Sequence, residues 1–216
     1  MSITFPRTDI MSAVDFSQDT APLRLMSRQE QSRQAGGVTR GKDFGSAIWF
    51  GDWTTVPLLN YDALAFEAML NSLDGVLRVF EGGDMRAAAQ YPRSHPTGAF
   101  GDTGQLLSVN ANNKALALSN LDPGMVINAG CYLAFDYSGS RALHQAMETV
   151  TANGSGVTGQ FEVRPHIRPG WTLSPVTPVK LKQPRGQFTL LPGSVSSRLN
   201  DTVSSIVSFQ AVQYLV

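Results

Sequence analysis

The stretch TVSSIVSFQAVQYLV, residues 202–216, decides how this chain is put together. Val207, Phe209 and Ala211 alternate with Ser208 and Gln210, the pattern of an antiparallel strand with one buried and one wet face. Such a strand has to join a sheet, because unpaired it would leave backbone donors and acceptors without partners. GQFTLLPG, residues 186–193, is the nearest strand-like segment before it, but the sheet that can receive both belongs to the front of the chain.

There, AIWFGDWTTVPLL (47–59) has the aromatic and β-branched enrichment of a strand. It runs into NYDALAFEAMLNSLDG (60–75), which carries both punctuation marks of a helix. Asn60 stands where it can cap the amino end, and Gly75 where it can take the left-handed turn after the last helical residue. Phe66, Met69, Leu70 and Leu73 share one face at i, i+3, i+4 and i+7. VLRVFE (76–81) then alternates and is expected as a further strand of the same sheet. Front and rear thus predict one discontinuous domain, residues 1–95 and 172–216, with 96–171 inserted between them.

The inserted region reads as short, punctuated strands. LLSVNAN and KALALSNL flank Asn112 and Asn113, a hairpin turn, and CYLAFDY, ALHQAMETVT and GQFEVRPHIR follow behind the breaks SGSR and NGSGVT. Strands at this spacing predict a small β-barrel or β-sandwich. ALHQAMETV has helix-compatible residues but no clean stripe of either period, and is assigned as a strand. Residues 82–104, GGDMRAAAQYPRSHPTGAFGDTG, are broken by glycine and proline and form the junction. Residues 17–46 are rich in Ser, Gln, Arg and Gly and poor in periodic apolar residues, so they read as a long arm or loop. Arg24, Arg28, Arg33, Arg40 and Lys42 make it locally basic, and it serves either as a solvated linker or as a subunit-contact arm.

FEVRPHIRPGW (161–171) sets Glu162, Arg164, His166 and Arg168 at every second position, with Phe161, Val163, Pro165 and Ile167 between them. An extended chain puts the two sets on opposite faces. Pro165 cannot donate to a ladder, which predicts an edge strand or a bulge, and a row of charges protects such an edge from stray pairing.

Composition narrows the function. With 216 residues, 42% of them hydrophobic, the chain can bury a real core. Seventeen basic residues balance seventeen acidic ones, so no global field draws nucleic acid or an acidic membrane. No apolar run is long enough to span a bilayer, and the start MSITFPRTDIMSAVDF lacks the apolar core of a secretory signal, so synthesis and first folding are expected in a cytoplasm. One cysteine, Cys131, and three scattered histidines offer neither a disulfide framework nor zinc-ligand spacing, and no metal or cofactor is expected.

Catalytic constellations were sought on the same terms. Gly154, Ser155 and Gly156 sit in a strand-to-strand turn rather than in a nucleophile elbow. His144 with Asp136 can be written as a base and its orienter, and Glu81 with Asp84 as a carboxylate pair, but neither comes with a cleft. EGGDMR lacks the Gly-Lys-Ser/Thr ending of a phosphate loop. Trp49, Trp53 and Trp171 are either core residues or a sugar-stacking platform. No catalytic residue is assigned, and the balance moves toward a structural or assembly role.

Two stretches carry a resemblance. LSNLDPGMVINAGCYLAFDYSGSRALHQAMETVTANGSGVTGQFEVRPHIRPG resembles a module of tailed-phage structural proteins, with its Leu-x-Pro-Gly opening, Gly-x-Tyr-Leu strand and arginine-bearing last strand. SAIWFGDWTTVPLLNYDALAFEAMLNSLDGVLRVFE (46–81) is similar to the strand-helix-strand unit of phage tail-tube and distal-tail proteins, and TVSSIVSFQAVQYLV to the last sheet strand of that fold. The resemblance implies a siphophage or prophage distal tail protein. Its fold would be mainly β, a tail-tube-like antiparallel sheet or sandwich with one packed helix and an inserted small β-domain. It would form a hexameric ring in the virion, joining the tail tube protein to the tip or hub proteins of the baseplate. A tube or terminator subunit, or a carbohydrate-binding module of the tip, is the alternative. The arm residues Arg28, Arg33, Arg40 and Lys42, with Arg164 and Arg168, become the candidate subunit contacts.

Overall fold

The computed structural model describes residues 3–19, 21–137, 139–168 and 177–215. The chain is mainly β. Its front half holds a short helix α1 (Ile10–Ala13), strand β1 (Leu23–Met26) and a hairpin of β2 (Gln29–Arg33) and β3 (Thr39–Asp43). Strands β4 (Ile48–Thr54) and β5 (Leu58–Leu59) lead into α2 (Asn60–Asn71), followed by β6 (Phe80–Gly82) and the single turn α3 (Ala87–Gln90). The middle contributes β7 (Gln105–Val109), β8 (Ala115–Ser119), β9 (Val126–Ile127), β10 (Tyr132–Tyr137), β11 (Ser140–Ala146), β12 (Val150–Thr151) and β13 (Phe161–Arg164). The rear adds β14 (Val179–Lys180), β15 (Gly186–Leu190), β16 (Ser196–Leu199) and β17 (Ser204–Gln213).

Strand β17 is the centre of the first sheet, whose order is β1-β4-β17-β15-β6, with β5 and β16 paired to the first half of β17. Phe209 lies opposite Trp53 and Ala211 opposite Gly51, so the rear of the chain is hydrogen-bonded to the front. Val207, Phe209 and Ala211 are fully buried, while Ser208 and Gln210 are half-buried. Helix α2 lays Phe66, Leu70 and the following Leu73 on this face. Phe209 is ringed by Trp53, Phe66, Phe80 and Phe16 at centroid distances of 5.4, 6.0, 6.0 and 6.2 Å. Each buried aromatic side chain contributes about 1.5–3 kcal/mol from its burial, and the ring contacts, edge-to-face with Phe16 and Phe80 and stacked with Trp53, add to that. The Trp53 ring also explains a glycine in mid-strand. A Cβ on Gly51 would lie 1.9 Å from that ring, so only a bare Cα fits beneath it.

The second sheet runs β14-β10-β11-β13-β8-β7. Its two ends meet, because Gln105 bridges Pro178, Leu106 N–H donates to Thr177 O at 2.9 Å and Val179 N–H to Gly104 O at 2.8 Å. The sheet therefore curls into a nearly closed barrel filled by Leu106, Leu116, Leu118, Leu133, Phe135, Phe161, Val163 and Val179. Asn110, at the turn between β7 and β8, accepts from the Lys114 and Ala115 amides through Oδ1, and Asn113 takes φ +57° there. Because β14 belongs to the barrel, the barrel extends past residue 171, and the chain returns to the first sheet between Lys180 and Gly186.

The barrel does not stand clear of the first sheet. Along β10, Leu133 and Phe135 point into the barrel, whereas Tyr132 and Ala134 pack in the first core with Trp49, Leu143 and Leu190. Strands buried on both faces lose the polar alternation, which is why ALHQA shows no clean stripe of either period. Trp49 Nε1 and Gln213 Nε2 both donate to Leu143 O, at 2.9 and 3.3 Å, and a Cβ on Gly186 would lie 2.8 Å from Leu143 Cβ.

Four local expectations are corrected. Asn60 is the first residue of α2 rather than its cap. Leu59 holds the cap position, and the Asn60 amide instead donates to Thr202 O and accepts from Ser205 Oγ at 2.8 Å, tying the helix to β17. VLRVFE is not a six-residue strand. Asp74 and Gly75 take φ +49° and +65°, the chain turns, and pairing begins only at Phe80, leaving Val76 and Leu77 exposed. Residues 17–46 are not a structureless loop, since β1 pairs with β4 and β2 with β3. Finally, β13 is not an edge strand. Phe161 and Glu162 pair with β8, and Val163 and Arg164 with β11, so Pro165 falls just past the last laddered residue, where its missing N–H costs nothing.

Candidate subunit interface

The candidate contact residues fall in two places. Hairpin β2–β3 is joined only to itself by strand pairing, and residues 26–46 are exposed throughout. Its cross-strand partners Glu30↔Lys42 and Ser32↔Arg40 lie on one face, with Arg33↔Thr39 and Gln29↔Asp43 on the other. Neither face is apolar, so nothing in the sequence turns the ribbon toward a core. Among the described residues, Arg28, Arg33, Arg40 and Lys42 form no ion pair; Lys42 Nζ lies 5.3 Å from the centroid of the exposed Phe44 ring.

The charges of 161–168 do line one face, but they are largely satisfied within the chain. Arg164 Nη1 binds Glu162 Oε1 at 2.7 Å, and His166 Nε2 lies 3.8 Å from the same oxygen. The Arg164 bond holds the Glu162 carboxyl below its ordinary range, and burial holds His166 below its own. Arg168 Nη1 donates to Leu215 O at 2.9 Å. The fold brings Arg168 and His166 together with Arg28, at the root of the arm, around a cleft of about 500 Å³ that also touches Thr189, Gln213 and Tyr214. Arg33, Arg40 and Lys42 lie out along the ribbon, and Arg164 does not line the cleft.

The catalytic combinations weighed from sequence are not assembled. His144 is buried inside the barrel, stacked on Phe135 at 4.9 Å, with Nδ1 2.8 Å from Pro165 O. Burial lowers its pKa from 6.5 to about 4. Asp136 is exposed and engaged instead by Arg141 Nε at 2.8 Å. Glu81 accepts from Arg141 Nη1 at 2.8 Å, and Asp84 is held by Arg86, so those two carboxylates serve separate guanidiniums. In EGGDMR, Gly83 O accepts from Trp53 Nε1 at 3.0 Å, and a Cβ on Gly83 would lie 2.8 Å from Pro184 O, a packing reason for the glycine. Gly154–Gly156 form a turn in which Asn153 Oδ1 accepts from the Ser155 and Val157 amides. Trp49 and Trp53 are core residues and present no ring to a sugar; Trp171 lies outside the described residues. No group of three or more metal-ligating side chains occurs among the described residues.

Sequence reading missed a feature of α2. Tyr61 and Leu64 are 88% and 62% exposed, and with the exposed Ala65 and Ala68 they form a second apolar stripe opposite the buried one. The signal was present as a second i, i+3, i+4, i+7 set, hidden because the buried set accounts for the helix by itself. Arg141, which spans Glu81 and Asp136, had no sequence signature.

Fold and surface together define a mainly-β protein in which a sheet woven from both chain ends carries a barrel and an exposed basic ribbon. No family model matches this chain, and no curated protein matches it either.

Proposed function

We propose that this chain is a structural ring component at the distal end of a phage tail, assembling with copies of itself between the tail tube protein and the tip or hub proteins. The observation that carries the proposal is the β2–β3 ribbon, exposed on both faces and bearing, with Arg28 at its root, four cations that form no ion pair among the described residues. A two-stranded ribbon without an apolar face is marginal in water, so this one gains order from a neighbour. Strand β1, at the open edge of the first sheet, is the second point of contact, since a ring satisfies edges that a monomer exposes. The resemblance of 46–81 and 115–171 to distal-tail modules supplies the setting, and in that family the ring has six copies.

Negative-stain imaging and mass measurement of the purified chain test the proposal. Annuli whose mass is a whole multiple of the chain are expected. Arg33→Glu with Arg40→Glu should abolish them while leaving the far-ultraviolet circular dichroism unchanged. Annuli that persist in this variant remove the ribbon from the interface, and a chain that stays monomeric both alone and with purified phage tails refutes the ring.

A further inference from the structure

We infer that the ribbon of one copy docks on the outer face of helix α2 of the next copy. The inference rests on the ring reading only in requiring a second copy, and it names the receiving surface.

A surface helix ordinarily has one apolar stripe and one polar face. Helix α2 has two apolar stripes. The inner one, Ala63, Phe66 and Leu70, is covered by the first sheet. The outer one, Tyr61, Leu64, Ala65 and Ala68, is left exposed by the described residues. Leu59 and Val203 lie at its start, joined through Asn60 N–H to Val203 O at 3.0 Å, and Val76 and Leu77 follow the helix in sequence. All four of these residues are at least half exposed. An exposed apolar stripe of this kind marks an interaction surface.

Charge decides the occupant. Asp62 and Glu67 flank the outer stripe on opposite sides, Asp74 follows its end, and residues 60–75 contain no cation; Arg7, which reaches Ser72 Oγ at 2.7 Å, is itself paired with Asp9. None of the three carboxylates has an ion-pair partner among the described residues. The ribbon is the complement: Arg28, Arg33, Arg40 and Lys42 stand against Glu30 and Asp43, and these cations too form no ion pair among the described residues. A second α2 would set three carboxylates against three, which disfavours a helix-to-helix pair. The lengths also agree. Twelve helical residues span about 18 Å and five strand residues about 17 Å. Arginine and lysine stems can lie on the Ala65 and Ala68 surface while their heads reach the flanking carboxylates, and the exposed Val38 and Phe44 supply apolar contact near the two ends of the ribbon. Ribbon and helix are different patches, so the contact is head-to-tail, the type that generates rings.

The test mixes isotopically heavy and light copies of the full chain and treats them with a carbodiimide, which joins an amine to a carboxylate in contact with it. Peptide mass spectrometry should find heavy–light links from Lys42 to Asp62, Glu67 or Asp74. Leu64→Arg keeps every reactive group and replaces an exposed side chain, so the fold stands. It should lower the linked fraction about tenfold, the effect of losing about 1.4 kcal/mol of contact free energy, and added salt should lower it further. Lys42 links confined to single chains, Lys42 links only to other segments, or self-association that survives Arg40→Glu with Lys42→Glu would overturn the inference. Annuli without these links leave the ring standing and remove this contact; these links without annuli do the reverse.

Discussion

Acidifying the protein should unlock the barrel through one side chain. His144 is fully enclosed, stacked on Phe135, and close enough to Pro165 O for Nδ1–H to donate to it. Enclosure favours the neutral ring and takes its pKa from 6.5 down to about 4. Above pH 6.5 both folded and unfolded states hold it neutral and nothing is lost. Between 6.5 and about 4 the unfolded chain takes up a proton that the folded chain refuses, so stability falls with pH; below about 4 both are protonated and the loss levels off. A shift of this size amounts to roughly 3 kcal/mol in full, of which about 2 kcal/mol is spent between pH 7 and pH 5. Urea unfolding at those two pH values measures it, with His144→Met as the reference, since methionine fills a similar space and does not titrate. The variant should lose about 1 kcal/mol at pH 7 with the hydrogen bond, yet show about 2 kcal/mol less pH dependence than the parent. His166 is half-buried and present in both proteins, so its own titration is common to them. Equal pH dependence in the two proteins would refute the reasoning.

Gly51→Val places a side chain into the Trp53 ring and should cost about 3 kcal/mol, read as lowered thermal stability or insoluble expression. Trp49→Phe removes the Nε1 donor to Leu143 O at the seam and should cost about 1–2 kcal/mol while keeping two-state unfolding; an unchanged midpoint would show that the seam hydrogen bond contributes nothing. Reversing Arg164 and Arg168 to Glu should leave the chain folded and change its salt-sensitive assembly through Arg168, because Arg164 is already committed to Glu162; ring formation at wild-type salt dependence would exclude a role for both.

The parts of the fold legible in the sequence are those where one face is wet. The alternation from Val207 to Ala211 and the stripe Phe66, Leu70, Leu73 follow from period alone, and both are buried as that period requires. Where a strand is covered on both sides the period vanishes, so β10 and β11 could be assigned as strands but not placed at the seam. Pro165 points to an edge strand only if it lies within the strand, and here it follows the last paired residue, Arg164. The ribbon was visible as an uncovered basic segment, but its pairing was not, since QEQSR and TRGKD have no apolar face from which to read a register. The outer stripe of α2 was written in the same residues as the inner one, and only the position of the sheet tells the two apart.

The central position of β17 sets an order of events during synthesis. It leaves the ribosome after every other strand of its sheet, so β4 waits with one edge vacant from Thr54 until Ser204 is made, whereas β15 waits only from Leu190. The barrel strands all lie between residues 105 and 180 and are complete well before then. A growing chain therefore carries a finished barrel beside a sheet that still lacks its middle strand, and the domain begun first closes after the one inserted into it.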